Sequence, residues 1–585
     1  MKNTIEALVS RALDEMRAAG ELDDGDLPVV VERSRDEAHG DFSVPTAMSL
    51  ARSMKKKPRE IAQRIVDHLP DSAAVEKVEI AGPGFINFFL KRSRLASVVS
   101  EILRQGDEYG RSRTGGGERV QVEFVSATPT GPLHVGHGRG AAYGAVLANL
   151  LDAAGFDVQR EYYVNDAGRQ MDILALSVWL RYLECFGDKA PFPAAAYQGE
   201  YIKEISLTLV ERHGESFRVD AGELEAGLPD DENAGGDKEV FVDAMISRMR
   251  RLLPEAGFAT VFNAGRESLL ENIRTDLEEF GVRFDRWYSE RSLLDSGAVD
   301  RALERLERAG HVYGKDGARW FRSTAFGDDK DRVVVRENGV PTYFASDIAY
   351  HMEKFERGFS RVIDVWGADH HGYVARVKGA LAALGIDPDS FEVPIVQMVQ
   401  LYRGGKKAFM STRKGEFVTL RQLRQEVGND AARFFYIMRR CEQQLDFDLD
   451  LAKSESSENP VYYLQYAHAR ICSVLRQAAD RGYRADLPAD RIDFDLLVEN
   501  QEQALLKTVT RFPEVVADAA LDREPHQVAF YLRDVANEFH AYYNAHQFLV
   551  PEEGLRSARL ALNRATRQVL ANGLALLGVS APEEM

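Results

Sequence analysis

Ser126-Ala-Thr-Pro-Thr-Gly-Pro-Leu-His-Val-Gly-His137 lies between a short apolar run, residues 120–125, and a segment of helical character, residues 139–154. Strand, tight turn and helix in that order put the free N–H groups of a helix N-terminus beside a strand end, where phosphate binds. His134 and His137, at i and i+3, fall on one face of that terminus, and Gly136 between them lets a ligand approach the backbone. Alone, a His-x-x-His pair is more often a core or surface pair. Behind a strand and a Pro-Thr-Gly-Pro turn it marks a candidate ATP site.

Around this turn, from residue 120 to about 415, β-rich runs alternate with helical patterns, which predicts a doubly wound parallel sheet of the Rossmann type. Residues 120–125, 160–164, 361–365 and 393–398 read as its strands, the acidic, Gly-rich stretch 219–237 as an exposed loop, and residues 316–336 as an insertion bearing a hairpin. Residues 1–112 read as a separate α+β unit with strands at 27–31, 75–80 and 85–90, and with Pro45 and Pro58 at helix starts. Residues 111–117, Arg-Ser-Arg-Thr-Gly-Gly-Gly, read as a flexible linker. After residue 451 the pattern is helical throughout, with apolar stripes over 461–479, 495–519, 525–548 and 555–577, an all-α helical bundle. The expected division is therefore 1–112, 113–458 and 459–585.

Composition bounds the class. At 585 residues, with 45% apolar and 28% charged residues, the chain is too long for one core and reads as a soluble globular protein. No apolar run approaches the roughly 18 residues of a membrane span. The N-terminal stretch reads as an amphipathic helix and not as a secretory leader. Cys185, Cys441 and Cys472 are far apart, which suits a reducing, cytoplasmic setting and argues against a zinc knuckle. A net charge of -18 disfavours an indiscriminate nucleic-acid binder and leaves room for local RNA contacts, such as Lys55, Lys56 and Lys57.

A second constellation, Lys406-Lys407-Ala-Phe-Met-Ser-Thr-Arg-Lys-Gly415, is a polar loop between a strand and a helix. Its cations, with Ser and Gly, suit closure over a triphosphate and stabilisation of departing diphosphate. Together the two stretches resemble the HIGH and KMSKS elements of class I aminoacyl-tRNA synthetases, and along essentially its whole length the chain resembles the arginyl-tRNA synthetases. The resemblance is carried by Val122-Glu-Phe-Val-Ser126, Glu161-Tyr-Tyr-Val-Asn-Asp-Ala-Gly168, Tyr343-Phe-Ala-Ser-Asp-Ile-Ala349 and Trp366-Gly-Ala-Asp-His-His-Gly-Tyr373. Further matches are Asp446-Phe-Asp-Leu-Asp450, Tyr462-Tyr-Leu-Gln-Tyr-Ala-His-Ala-Arg470 and Leu577-Gly-Val-Ser-Ala-Pro582.

The resemblance implies activation of L-arginine with ATP and its Mg2+, followed by transfer to a cognate tRNA, with no zinc and no prosthetic group; a monomer is expected. It implies catalytic roles for His134 and His137 and nucleotide contacts from Pro132, Gly136, Gly138, Gly367, Asp369, His370, Met410 and Ser411. It implies arginine contacts from Glu123, Ser126, Thr128, Asn165, Tyr343 and Asp347. A guanidinium calls for an acidic partner, and Tyr343 and Asp347 stand four apart on a predicted helix. Tyr542, Tyr543 and Asn544 are expected to meet tRNA through the helical domain, and the N-terminal unit resembles the family's tRNA-elbow domain. The loop departs from the family pattern, with Phe409 and Thr412 where lysines are usual. Arg413 and Lys414, with Lys406 or Lys407 behind them, are the expected replacements. Thr128 stands where many relatives have Asn. Editing synthetases need larger insertions than this chain has, cysteinyl enzymes need zinc ligands, and small nucleotidyltransferases lack a helical C-terminal domain. A non-catalytic, RNA-binding paralogue would be favoured only by the altered loop.

Overall fold

The computed structural model describes residues 1–23, 29–34, 37–408 and 417–585. Five parallel strands form the central sheet: β1 Arg119–Glu123, β2 Asp157–Val164, β3 Arg286–Ser289, β4 Arg361–Asp364 and β5 Phe391–Glu392. Their spatial order is β5-β4-β1-β2-β3. The chain steps outward from β1 through β2 to β3, then returns to the other side of β1. That leaves a topological switch point between β1 and β4, beyond whose C-terminal ends ligands bind in such sheets.

Helix α1, Val135–Ala153, joins β1 to β2 and is almost wholly buried. It approaches the sheet closely because Gly144 has no side chain; a Cβ there would lie 2.2 Å from the Phe124 ring. Short helix α2, Glu290–Asp295, follows β3, and α3, Tyr343–Glu356, precedes β4. Helix α4, Asn429–Ile437, packs against α1. A helical layer inserted between β2 and β3 has its own core around Trp179, Ile202, Met245 and Val261. The insertion at 316–336 forms, with Val312–Lys315, a three-stranded antiparallel sheet.

Beyond residue 451 the chain is helical, as expected. Helix α5 is Pro460–Asp480, α6 is His526–Ala545 and α7 is Glu553–Leu577. The stretch read as one helical pattern over 495–519 is two helices, Asn500–Val509 and Phe512–Leu521, because Pro513 opens the second. One apolar core runs without interruption from the central sheet through α1 and α4 into these helices.

Four local expectations are corrected. Strand β1 stops at Glu123, since Val125 and Ser126 take φ of 69° and 41°. The run 393–398 is not one strand: Ile395–Val396 pairs with Trp366–Gly367, and a new strand, Val399–Arg403, pairs with Leu445–Asp448 and Lys406–Lys407. Residues 111–117 are fastened to the end of α1, with Ser112, Gly115 and Gly117 N–H groups donating to the carbonyls of Ala153, Ala154 and Gly155 at 2.8, 2.8 and 2.9 Å. Gly115 is needed because a Cβ there would lie 2.5 Å from Phe156. In the N-terminal unit the sheet order is Glu32–Arg33, Phe42–Val44, Phe85–Leu90, Val75–Ala81. Of the strand expected at 27–31, residues 27 and 28 lie outside the described residues, and 29–31 are not strand. Lys55, Lys56 and Lys57 form an exposed turn between two helices.

Candidate active site

His134 occupies the N-cap of α1. Its Nδ1 accepts the N–H of Gly136 at 3.1 Å and of His137 at 3.3 Å, while His137 Nδ1 accepts the N–H of His134 at 3.3 Å. This reciprocal arrangement satisfies N–H groups that a helix start otherwise leaves open. The two rings stack with centroids 3.6 Å apart. Burial lowers both imidazoles, His137 to about 3 with His134 adding to the effect, so both are neutral near pH 7. With Nδ1 of each ring accepting from backbone, the proton sits on Nε2. The turn therefore offers two neutral N–H donors at the positive end of a helix. Gly136 is tight, since a Cβ would lie 3.0 Å from the His134 ring, and Gly138 is tighter, with Leu420 and the Tyr436 hydroxyl at 2.7 and 2.9 Å.

This turn is sewn to the far end of the second constellation. Val135 N donates to Val418 O at 3.2 Å and Leu420 N to Leu133 O at 2.8 Å, His134 bridges to Thr419, and the Phe417 ring is 5.8 Å from that of His134. Met410, Ser411, Arg413 and Lys414 lie outside the described residues. Lys406 and Lys407, on the approaching strand, are exposed.

Beyond β1 the chain turns sharply. Ser126 N donates to Phe124 O at 3.0 Å across Val125, a γ-turn with two successive non-glycine residues at positive φ. The turn aims Ser126 Oγ at Glu123 Oε1, 2.8 Å away, and lets it accept Tyr163 N–H at 3.1 Å. Asn165 Nδ2 donates to Ser126 O at 3.0 Å. Glu123 is buried, which raises its carboxyl against the pull of Lys354, and its other oxygen is bound by that lysine, so both oxygens are engaged within the protein. On α3, Asp347 accepts the Tyr373 hydroxyl at 2.5 Å. Tyr343, 59% exposed, reaches over Gly168, where a Cβ would meet its hydroxyl at 3.0 Å.

Glu290, the first residue of α2, and Asp166, after β2, join Asp347. Burial, then the charges of Asp347 and Asp166, push the Glu290 carboxyl up to about 7. Burial likewise raises Asp347. Among the described residues no ion pair neutralises Asp166, Glu290 or Asp347. Asp166 is held by the Ser289 hydroxyl at 2.8 and 2.9 Å and by the Arg291 N–H at 3.2 Å, which leaves Glu290 and Asp347 as the acids open to a mobile cation. Gly367, Asp369 and His370 are exposed beyond the end of β4, Asp369 and His370 paired with each other at 3.2 Å, and His370 is near enough to Asp347 for its charge to act on that carboxyl.

Residues 98–190 and 237–444 match the family described as tRNA synthetases class I (R), catalytic domain; residues 3–90 match the arginyl tRNA synthetase N terminal domain, and 464–585 the DALR anticodon binding domain. Two full-length relatives named arginine–tRNA ligase, from Thioalkalivibrio sulfidiphilus and Halorhodospira halophila, are 61% and 57% identical, with 100% of each chain covered. The chain belongs to the arginyl-tRNA synthetases. The solved Thermus thermophilus arginyl-tRNA synthetase matches with a TM-score of 0.74 and 25% identity, covering 100% of both chains.

In this synthetase the expected RNA-facing residues separate. Tyr542 is fully buried, its hydroxyl donating to Glu502 Oε1 at 3.0 Å; it is a core residue and cannot stack on a base where it stands. Tyr543 is half-buried and Asn544 exposed. The Arg470 guanidinium lies 4.5 Å from the ring centroids of both Tyr543 and Tyr466, and Tyr462 stacks on Tyr466. Sequence reading missed Glu290, Asp166, Tyr373 and Lys354. A positional signal existed for Glu290 and Asp166: both follow the C-terminal ends of parallel strands, where such sheets place their ligands. Among the described residues no cluster of His, Cys, Asp or Glu is placed to hold a metal ion, and no helix is long and apolar enough to cross a membrane.

Proposed function

We propose that the capped start of α1, the acidic pocket and the segment 409–416 divide arginine–tRNA ligation between them. The chain is an arginine–tRNA ligase: the arginine carboxylate attacks the α-phosphate of ATP, releasing diphosphate, and a terminal ribose hydroxyl of tRNA then takes the arginyl group. Such in-line chemistry needs placement and charge stabilisation more than covalent help. His134 and His137 donate from Nε2 to phosphate oxygens, more strongly as charge develops. Pro132, Gly136, Gly138, Gly367, Asp369, His370, Met410 and Ser411 hold the nucleotide, whose phosphates arrive with Mg2+ as substrate. Arg413 and Lys414, with Lys406 or Lys407 behind them, stabilise departing diphosphate.

Asp347 and Glu290 face the guanidinium, Tyr343 covers it, and Ser126, Thr128 and Asn165 hold the amino-acid end. The observation that carries this reading is the acidic pocket with no internal cation, because a permanently charged guanidinium is what it lacks. Tyr543 and Asn544, beside the Tyr466–Arg470–Tyr543 stack, meet tRNA. The chain divides near residues 112 and 458, and works as a cytoplasmic monomer. Asp347→Ala should raise the arginine KM about 100-fold, the size of a lost charge-assisted hydrogen bond, with the ATP KM within about threefold. Steady-state aminoacylation checks this, and equal effects on both substrates would overturn the assignment. Diphosphate exchange with and without tRNA tests whether activation waits for tRNA.

A further inference from the structure

Strands β1 and β4 end with an acid, Glu123 and Asp364, and β2 carries Glu161 three residues before its end; the three stand in register, Glu161 beside Glu123 and Glu123 beside Asp364. All three are buried. A row of carboxylates under a helix is costly unless cations meet it. Helix α3 and its C-cap residue, Arg357, supply them at helical spacing. Arg357 donates to both oxygens of Glu161, at 2.5 and 3.0 Å. Lys354, with no exposed surface, donates to Glu123 Oε2 at 2.5 Å and to both oxygens of Asp364 at 2.8 and 2.9 Å. One turn earlier, His351 spans Asp364 Oδ2, 2.9 Å from Nε2, and the carbonyl of Asp347, 2.7 Å from Nδ1.

These bonds form a continuous path across the switch point. From Lys354 it runs through Glu123 to Ser126 Oγ, and through Asp364 and His351 to the backbone of Asp347. Burial disfavours the ammonium, but the charges of Asp364, Glu123 and Glu161 and the hydrogen bond to Asp364 together outweigh that and hold it above the ordinary lysine value. We propose that Lys354 is the positioning residue of the arginine pocket, a buried ammonium that fixes the separation between the Ser126 end and the Asp347 end. Glu123 is then an orienting group for Ser126, with both oxygens already bonded within the protein, and not a partner of the substrate guanidinium. The inference rests on the assignment of Ser126 and Asp347 to the two ends of bound arginine.

Two variants of the full chain test it with limited disturbance to the buried charge. K354M/D364N removes one positive and one negative group and keeps the net charge of the cluster. E123L leaves the Lys354–Asp364 pair intact but takes away the acceptor of Ser126. Each should raise the arginine KM at least tenfold, hold the ATP KM within threefold, and cut discrimination against homoarginine, one methylene longer, at least fivefold. E123Q, which restores an oxygen acceptor, should recover most of the E123L loss. A lysine that serves stability alone would lower the unfolding temperature without this split. The proposal is overturned if either variant keeps native circular dichroism with the arginine KM within twofold, or raises both KM values equally. If D347A leaves the arginine KM unchanged, the pocket assignment fails instead, so the two failures are told apart.

Discussion

At Glu290, stability and function pull in opposite directions. Its carboxyl stands at about 7 in the folded chain, raised by burial and by Asp347 and Asp166 from an ordinary 4.5. A raised folded value favours the folded state below the unfolded value and loses that contribution as pH rises through about 7. Glu290→Gln removes the ionisation, so it should stabilise the enzyme at pH 8 by about 2 kcal/mol and change little at pH 4. The same variant should weaken arginine binding about 100-fold. Calorimetry at the two pH values, beside arginine KM, checks both halves. In the unmodified enzyme arginine affinity should strengthen from pH 6 to 8 as Glu290 ionises, and E290Q should flatten that rise. His134 separates cap from donor in a similar way. His134→Asn keeps a cap acceptor and should unfold near the normal temperature, whereas His134→Ala loses about 1 kcal/mol. Both should slow single-turnover activation about 100-fold, since each lacks the Nε2 donor. With His137 at about 3, the pH profile should show no inflection from it between pH 6 and 9.

The helices and strands show why some of this was legible and some was not. The start of α1 could be read because its chemistry is local: turn, cap residue and glycine follow one another in sequence. The acidic pocket is assembled from the ends of β2 and β3 and the start of α3, and only the fold brings Asp166, Glu290 and Asp347 together. Tyr542 was misread because a helix spaces core aromatics and surface aromatics alike. Residues 111–117 were misread because glycine that permits motion and glycine that permits close contact look the same in sequence. Arg139, on α1, is another element-scale group. Fully buried, it donates to Gln397 O, Gln443 O and Arg440 O at 2.8, 2.7 and 2.9 Å, fastening α1 to the ends of the strands Val399–Arg403 and Leu445–Asp448. Arg139→Met removes three hydrogen bonds to partly buried carbonyls, of which, among the described residues, only Arg440 O keeps another donor, the Gln443 N–H, and should destabilise the enzyme by about 3 kcal/mol. A denaturant titration measures that loss; one below 1 kcal/mol would mean water replaces the guanidinium.

Across the whole molecule, the helical region and the ATP turn are joined through α4. Its Tyr436 hydroxyl donates to Val135 O in the first turn of α1 at 2.8 Å. Its Arg433, buried, donates to Leu577 O at 3.1 Å and to Phe280 O at 2.8 Å, so the end of α7 and the end of the inserted helical layer share one guanidinium. Beyond α7 the chain doubles back over the same helix. Ser580 N donates to Asp430 Oδ1 at 3.1 Å, Gln465 of α5 reaches Asp430 and Ser580 O at 2.7 and 3.0 Å, and His468 meets Pro582 O at 2.8 Å. The bend is possible because Gly578 takes φ of 68° and leaves room for Arg433, whose Nη2 would lie 2.2 Å from a Cβ there. Gly578→Ala therefore combines backbone strain of about 1 kcal/mol or more with loss of the guanidinium site. It should loosen the contact between α4 and α7 while leaving each side's own apolar contacts in place. The continuous core predicts one unfolding transition for the unmodified enzyme, and calorimetry of that variant, and of one lacking residues 580–585, should show two. A single transition at an unchanged midpoint in both would show that apolar packing alone joins the two regions.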